Sequence, residues 1–291
     1  MLLFFLRLFL RVLLLFMAIA FVTLLERKLL AYRQRRVGPT KMLLKGIMQP
    51  IIDGVKLLHK NLIKPLNSPK DLFFLSPLIL IIGIVIFSAC FSSIPFHRQL
   101  WCRRLLLLLI LRLGVYRRLL IGFTRASKYS FIGGIRRCIQ RVRYEVRLAI
   151  IIFSIIIINR HISFSLWSRA LFYFVLPLWF IRLVAETNRA PFDLAEGERE
   201  LVRGLNIELS RAVLAYVLVG EYGFVIILSW LTAIIFFWNL TFLFITITLT
   251  TLFIRSVFPR YRYDKLIALC WTKILPLALF WCRICLCVPS L

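Results

Sequence analysis

Residues 212–233, AVLAYVLVGEYGFVIILSWLTA, carry a single charged side chain, Glu221, in 22 positions. That length and composition match the roughly 20 apolar residues an α-helix needs to cross a bilayer. A membrane strand would alternate apolar and polar side chains, and this run does not. Working outward, comparable runs predict eight helical spans, near 2–25, 72–93, 103–122, 144–159, 168–185, 212–233, 235–254 and 266–287. The chain has 291 residues, 61% of them hydrophobic, and a mean hydropathy of +0.89; an average soluble domain is nearer half apolar. The expected fold is an all-α integral membrane protein forming one domain, 1–291. The first 25 residues lead straight into a charged stretch without a small-residue cleavage site, so the first helix is read as retained.

With eight spans, the polar connections 26–71, 123–143, 186–211 and 255–265 all fall on one side of the membrane. Only short links near 94–102, 160–167 and 234 fall on the other. Lys28, Lys41, Lys45, Lys56, Lys60 and Lys64 lie in the first long connection. The positive-inside rule makes that side the cytoplasm or the mitochondrial matrix, with both termini opposite. Within it, Leu43, Leu44, Ile47, Ile51, Val55 and Leu58 recur at helical spacing, with Lys45, Asp53 and Lys56 between them. This is the pattern of an amphipathic helix lying in the interface plane, which Pro50 is expected to kink or interrupt.

Segment 186–208, ETNRAPFDLAEGERELVRGLNIE, concentrates the acids. It holds Glu186, Asp193, Glu196, Glu198, Glu200 and Glu208, half of the 12 acidic residues in the chain. Asp193 and Glu196 have capping-box spacing, and Glu196 and Glu200, four apart, would share a helix face. Crowded, poorly solvated carboxylates are driven toward proton exchange near neutral pH. A solvated acidic loop accounts for the same composition. Glu145 starts the fourth predicted span and Glu221 lies inside the sixth; ionisable groups in such places usually face a cavity or a partner, although an interfacial position also suits Glu145. The seven cysteines sit mostly in or beside apolar runs. Cys282-x-x-Cys285-x-Cys287 has no second pair nearby, and His59, His97 and His161 are scattered, so the cysteines are read as apolar packing residues and no metal is expected.

The run Glu186-Thr187-Asn188-Arg189-Ala190-Pro191-Phe192-Asp193-Leu194, continued by Glu196-Gly197-Glu198 and Glu200-Leu201-Val202, resembles the signature of one family: subunit 1 of proton-pumping NADH:ubiquinone oxidoreductase, respiratory complex I. Further blocks agree in order. Glu26-Arg27-Lys28 is followed by Arg36-x-Gly38-Pro39 and Gln49-Pro50-x-x-Asp53-x-x-Lys56; then come Arg136, Gln140 and Tyr144-Glu145, and finally Arg255 with Pro259-Arg260-Tyr261-Arg262-Tyr263-Asp264. The resemblance implies a mitochondrial inner-membrane subunit with ubiquinone as substrate. Arg27, Arg36, Asp53, Lys56 and Arg136 would line or support a quinone chamber. Glu145, Glu186, Asp193, Glu196, Glu198, Glu200, Glu208 and Glu221 would supply the carboxylates of a proton path. The implied partners are the other membrane-arm subunits, the peripheral iron–sulfur and quinone-site subunits, and membrane lipid. There is no Gly-rich dinucleotide turn and no four-cysteine cluster spacing, so no flavin or iron–sulfur cluster is expected on this chain, and electrons would come from a partner. Two other readings are an equivalent subunit of a related membrane-bound hydrogenase or dehydrogenase, and a stand-alone proton or cation transporter. Transporters often carry inverted repeats, and none is visible.

Net charge is +27, from 39 Lys and Arg against 12 acids. On a soluble chain that would point to nucleic acid, but many of these arginines interrupt apolar runs, so no nucleic-acid partner is expected. Arg7, Arg11, Arg112, Arg147 and Arg182 fall within predicted spans, where each costs roughly 2.5–3.5 kcal/mol at a helix centre. Seven arginines match the family pattern: Arg27, Arg36, Arg136, Arg189, Arg255, Arg260 and Arg262. The other 22 do not, and several, including Arg143, Arg147, Arg182, Arg199 and Arg203, stand where the family pattern has serine. AGA and AGG mean arginine in the standard code and serine in several invertebrate mitochondrial codes. Reading all 22 as serine lowers the net charge from +27 to +5. The gene is expected to carry AGA or AGG at those 22 positions and CGN at the seven; CGN at the 22 would refute this reading.

Overall fold

The computed structural model describes residues 2–40, 46–59, 69–92, 114–116, 119–124, 128–161, 166–187, 191–192, 211–237, 241–259 and 261–287. Every element among the described residues is helical. In chain order these are α1 (Leu2–Arg33), α2 (Gln49–His59), α3 (Lys70–Ser92), α4 (Lys128–His161), α5 (Leu166–Glu186), α6 (Arg211–Phe237) and α7 (Thr241–Val257). The last helix, α8, runs through Tyr263–Ala268, a π-helical turn Leu269–Ile274, and Leu275–Cys287. Pro276 explains where that wide turn sits. Proline lacks an N–H and its ring collides with the carbonyl four residues back, and a π turn just before it relieves that clash.

Among the described residues three helices are long and apolar enough to cross a membrane: Phe9–Arg33 of α1, Val213–Ala233 of α6 and Asp264–Cys287 of α8. Asp71–Ile86 of α3 and Leu243–Val257 of α7 are shorter apolar helices. Of the apolar window in α6, 56% is buried, against 22% in α1 and 17% in α8. That difference makes α6 the hub, and it packs against α1, α2, α3, α5 and α7 while α8 lies along α4. The main core joins Ile84 of α3, Leu148, Ile151 and Ile152 of α4, Trp179 and Leu183 of α5, Phe224, Leu228 and Leu231 of α6, and Ala278 of α8. The outward side of α1 exposes Phe9, Leu13, Leu14, Phe16 and Phe21, as a lipid-facing helix does.

Two boundaries differ from the sequence expectation. The segment 123–143, expected as a polar connection, is helical from Lys128 and continuous with the apolar half of α4. Polar composition does not end a helix, and no proline occurs between Lys128 and Tyr144 to break this one. At 34 residues α4 is about 50 Å long, so its polar half reaches beyond a hydrocarbon layer of roughly 30 Å. Pro50, expected to interrupt an amphipathic helix, is the second residue of α2, where its missing N–H would be unpaired in any case. Before it, Gly46 has φ +85°, and a Cβ there would lie 2.2 Å from the Pro39 carbonyl oxygen, so only glycine fits. The predicted span 103–122 falls largely outside the described residues.

Close packing around α6 is testable at Gly223. A Cβ there would meet Ile84 Cδ1 at 2.7 Å and Ile19 Cδ1 at 3.2 Å. Gly223→Val should cost about 1–3 kcal/mol by overpacking, read as a lower melting temperature in detergent. Gly54→Ala in α2, where nothing lies within 4 Å, should be neutral or stabilising.

Candidate functional site

Two of the described carboxylates, Glu26 and Glu186, are buried by the packing of the helices around them. Glu26 lies near the end of α1 and is 3% exposed. Tyr222 Oη of α6 donates a hydrogen bond to its Oε2 at 2.5 Å, and the Arg255 guanidinium of α7 pairs with its Oε1. One turn of α1 therefore points an acid inward at two other helices. The next residue, Arg27, points outward and pairs with Asp53 of α2 at 2.6 Å, while Gln49 Nε2 donates to the other Asp53 oxygen at 3.1 Å. These contacts tie the amphipathic helix to α1 and leave Ile51, Val55 and Leu58 of α2 exposed.

Glu186 is the last residue of α5 and 2% exposed. A carboxylate at a helix C-terminus faces the negative end of the helix dipole, so it needs compensation. Arg141 Nε of α4 lies 2.8 Å from Oε1, and Arg182, one turn back on α5, lies 3.7 Å from Oε2. Arg147 is also buried and sits over the Tyr144 ring at 5.3 Å. Glu186, Arg147, Glu145 and Arg141 all act on the Arg182 charge. The N–H vectors do not match the charges: no nitrogen of Arg141 or Arg182, and neither Nε nor Nη1 of Arg147, has a hydrogen-bond partner among protein atoms. Each unmet buried donor costs about 1–3 kcal/mol, and each buried ion several. The Arg141 guanidinium is also wedged against Gly114, where a Cβ would lie 2.8 Å from its Cζ.

A second seam joins α4 to the signature segment. Gln140 Nε2 donates to the Phe192 carbonyl at 2.8 Å, and the Tyr261 N–H donates to the Pro191 carbonyl at 2.9 Å. Phe192 stacks on Tyr261 at 5.7 Å and meets Tyr144 edge-on at 6.4 Å. Between α4 and α8, a cavity with about 10 Å³ open to the centre of a water-sized sphere is lined by Gln140, Arg143, Tyr144, Leu266 and Cys270, among others. It is far too small for a quinone ring.

Of the residues expected from sequence, the structure pairs Arg27 with Asp53 and buries Glu186. Glu145 and Glu221 are half-buried on α4 and α6, Arg136 is half-buried, and Arg36 and Lys56 are exposed. Asp193, Glu196, Glu198, Glu200 and Glu208 lie outside the described residues. The carboxylate that sequence reasoning passed over is Glu26. Its signal was an acid directly ending an apolar run, and its partners Tyr222 and Arg255 lie far away in the chain. Tyr222→Phe should destabilise the fold by roughly 1.5–3 kcal/mol, since the hydrogen bond is to a charged group. Arg255→Leu should do more, because a buried carboxylate then loses its counter-charge; melting of the purified protein checks both.

A sequence model of the family described as NADH dehydrogenase matches residues 6–286. The chain is 38% identical over 297 residues to "NADH-ubiquinone oxidoreductase chain 1" of Ornithorhynchus anatinus, covering 94% of this chain and 93% of the relative. The protein of the same name from Notamacropus eugenii is 37% identical, at 94% and 92% coverage. That from Priodontes maximus is 38% identical over 302 residues, at 94% and 93%. Near-complete coverage in both directions, with a family model matching nearly the whole chain, shows that the chain belongs to the NADH dehydrogenase family, that of NADH-ubiquinone oxidoreductase chain 1.

Proposed function

We propose that this chain is a core membrane subunit of a proton-translocating NADH:ubiquinone oxidoreductase, multi-pass in the mitochondrial inner membrane. It forms the membrane part of the chamber in which ubiquinone is reduced, and its carboxylates link that reduction to proton movement. The observation that carries the reading is Glu186. It is a carboxylate buried between α4 and α5, at the point where the acid-rich segment begins. Glu145 and Glu221, half-buried on apolar helices, extend the same chemistry into the membrane, and Asp193, Glu196, Glu198, Glu200 and Glu208 extend it toward the chamber. Such groups are retained in apolar surroundings when they exchange protons.

The chamber wall follows from the Arg27–Asp53 tether. It holds α2 with its apolar side chains exposed, as a helix at the membrane surface that guides an apolar quinone would require. Arg36, Lys56 and Arg136 complete that wall. The eight-span topology places connections 26–71, 123–143, 186–211 and 255–265 on the matrix side and both termini on the intermembrane-space side. Flavin and iron–sulfur clusters belong to peripheral partners, and other membrane-arm subunits carry the proton path onward. In the assembled complex, Glu186→Gln and Asp193→Asn should each slow coupled quinone reduction by roughly 10²-fold, the low end for a positioned proton-transfer group. The readouts are NADH:quinone turnover and proton uptake in vesicles. Full coupled activity in both variants would remove these residues from the mechanism.

A further inference from the structure

We propose that the native side chains at positions 141, 147 and 182 are serine, and that the hydroxyls at 141 and 182, with water between them, line Glu186 as a proton relay; the relay half rests on the reading of Glu186 given above. Among the described arginines, three are buried, Arg141, Arg147 and Arg182. All three fall among the 22 that depart from the family pattern. None of the five described arginines that fit the pattern is buried; Arg27, Arg36 and Arg262 are exposed, and Arg136 and Arg255 are half-buried. The arginines that the fold buries are thus ones that depart from the family pattern.

The chemistry agrees as well. Two guanidiniums, Arg141 and Arg182, share Glu186, while Arg147 and Glu145 act on Arg182. Their buried N–H groups find no acceptors. Arginine offers donors only, so it can neither satisfy itself on a helix nor pass a proton on. Serine does both. Buried hydroxyls elsewhere in this chain bond the carbonyl three residues back: Ser76 to Phe73 at 3.2 Å, Ser154 to Ile151 at 2.7 Å and Ser229 to Ile226 at 2.8 Å. Serine at 141, 147 and 182 has the carbonyls of Cys138, Tyr144 and Trp179 at the same spacing. The volume that the guanidiniums fill then becomes room for water against the Glu186 carboxyl group.

Peptide mass spectrometry of the subunit purified from its own organism tests the identity. Serine residue masses at 141, 147 and 182, with no tryptic cleavage after them, are expected; arginine at any of the three overturns the proposal, whatever Glu186 does. The relay is tested in the assembled complex produced in a standard-code host, comparing the triple variant Arg141→Ser, Arg147→Ser, Arg182→Ser with Arg141→Ala, Arg147→Ala, Arg182→Ala. Both should accumulate severalfold above the arginine form. The serine form should pump protons severalfold faster than the alanine form, with a different pH profile. Equal pumping and equal profiles overturn the relay. Failure of the Glu186→Gln test alone would instead remove the functional reading and leave the serine assignment standing.

Discussion

A helix in an apolar, water-free layer must satisfy every polar group from within the protein, and the whole arrangement follows from how this chain meets that demand. Backbone groups are consumed by the helices themselves. Hydroxyls on α6, such as Ser229 and Thr232, fold back onto carbonyls three residues earlier at 2.8 and 2.6 Å. Carboxylates cannot do this, so each buried acid draws other helices to itself. Glu26 is met by Tyr222 and Arg255 and so fastens α1 to α6 and α7. Glu186 is buried where α5 meets α4. The sites where proton chemistry is possible are thus the sites where helices converge.

The positions of most apolar helices were legible in the sequence, because span length is set by bilayer thickness and shows as uninterrupted hydropathy. Their ends were not. The polar half of α4 and the extension of α1 to Arg33 carry charged residues that hydropathy discounts but that helices accept readily. Pro50 was legible as a break but not as a beginning, since which residue starts a helix depends on the turn at Gly46 before it. Glu186 and Glu221 stood out as acids against apolar runs. Glu26 did not, because what makes it a site is the convergence of Tyr222 and Arg255 from distant helices, and no local pattern encodes that convergence.

The signature segment shows the same division between local and long-range information. Its order of residues identifies the family, yet its placement depends on contacts made elsewhere: Gln140 on the Phe192 carbonyl, Tyr261 on the Pro191 carbonyl, and the aromatic stack of Phe192 on Tyr261. These come from α4 and from the turn before α8, which carry two of the other blocks. Those two blocks, far apart in sequence, are therefore parts of one seam with the signature segment.

The arginines expose where the constraint is violated. Glu26 is met by one tyrosine hydrogen bond and one arginine charge, so its charge closes locally. Around Glu186 cations outnumber the acid: the buried guanidiniums of Arg141 and Arg182 pair with one buried carboxylate, Arg147, also buried, acts on Arg182, and donors are left unmet. Among the described residues the buried serine and threonine hydroxyls bond the carbonyl three residues back, and the chemistry around Glu186 fits once those positions carry the hydroxyl used elsewhere. The surroundings of Glu186 then become polar without being cationic, which is the environment a carboxyl group needs if it is to exchange protons rather than serve only as the anchor of an ion pair.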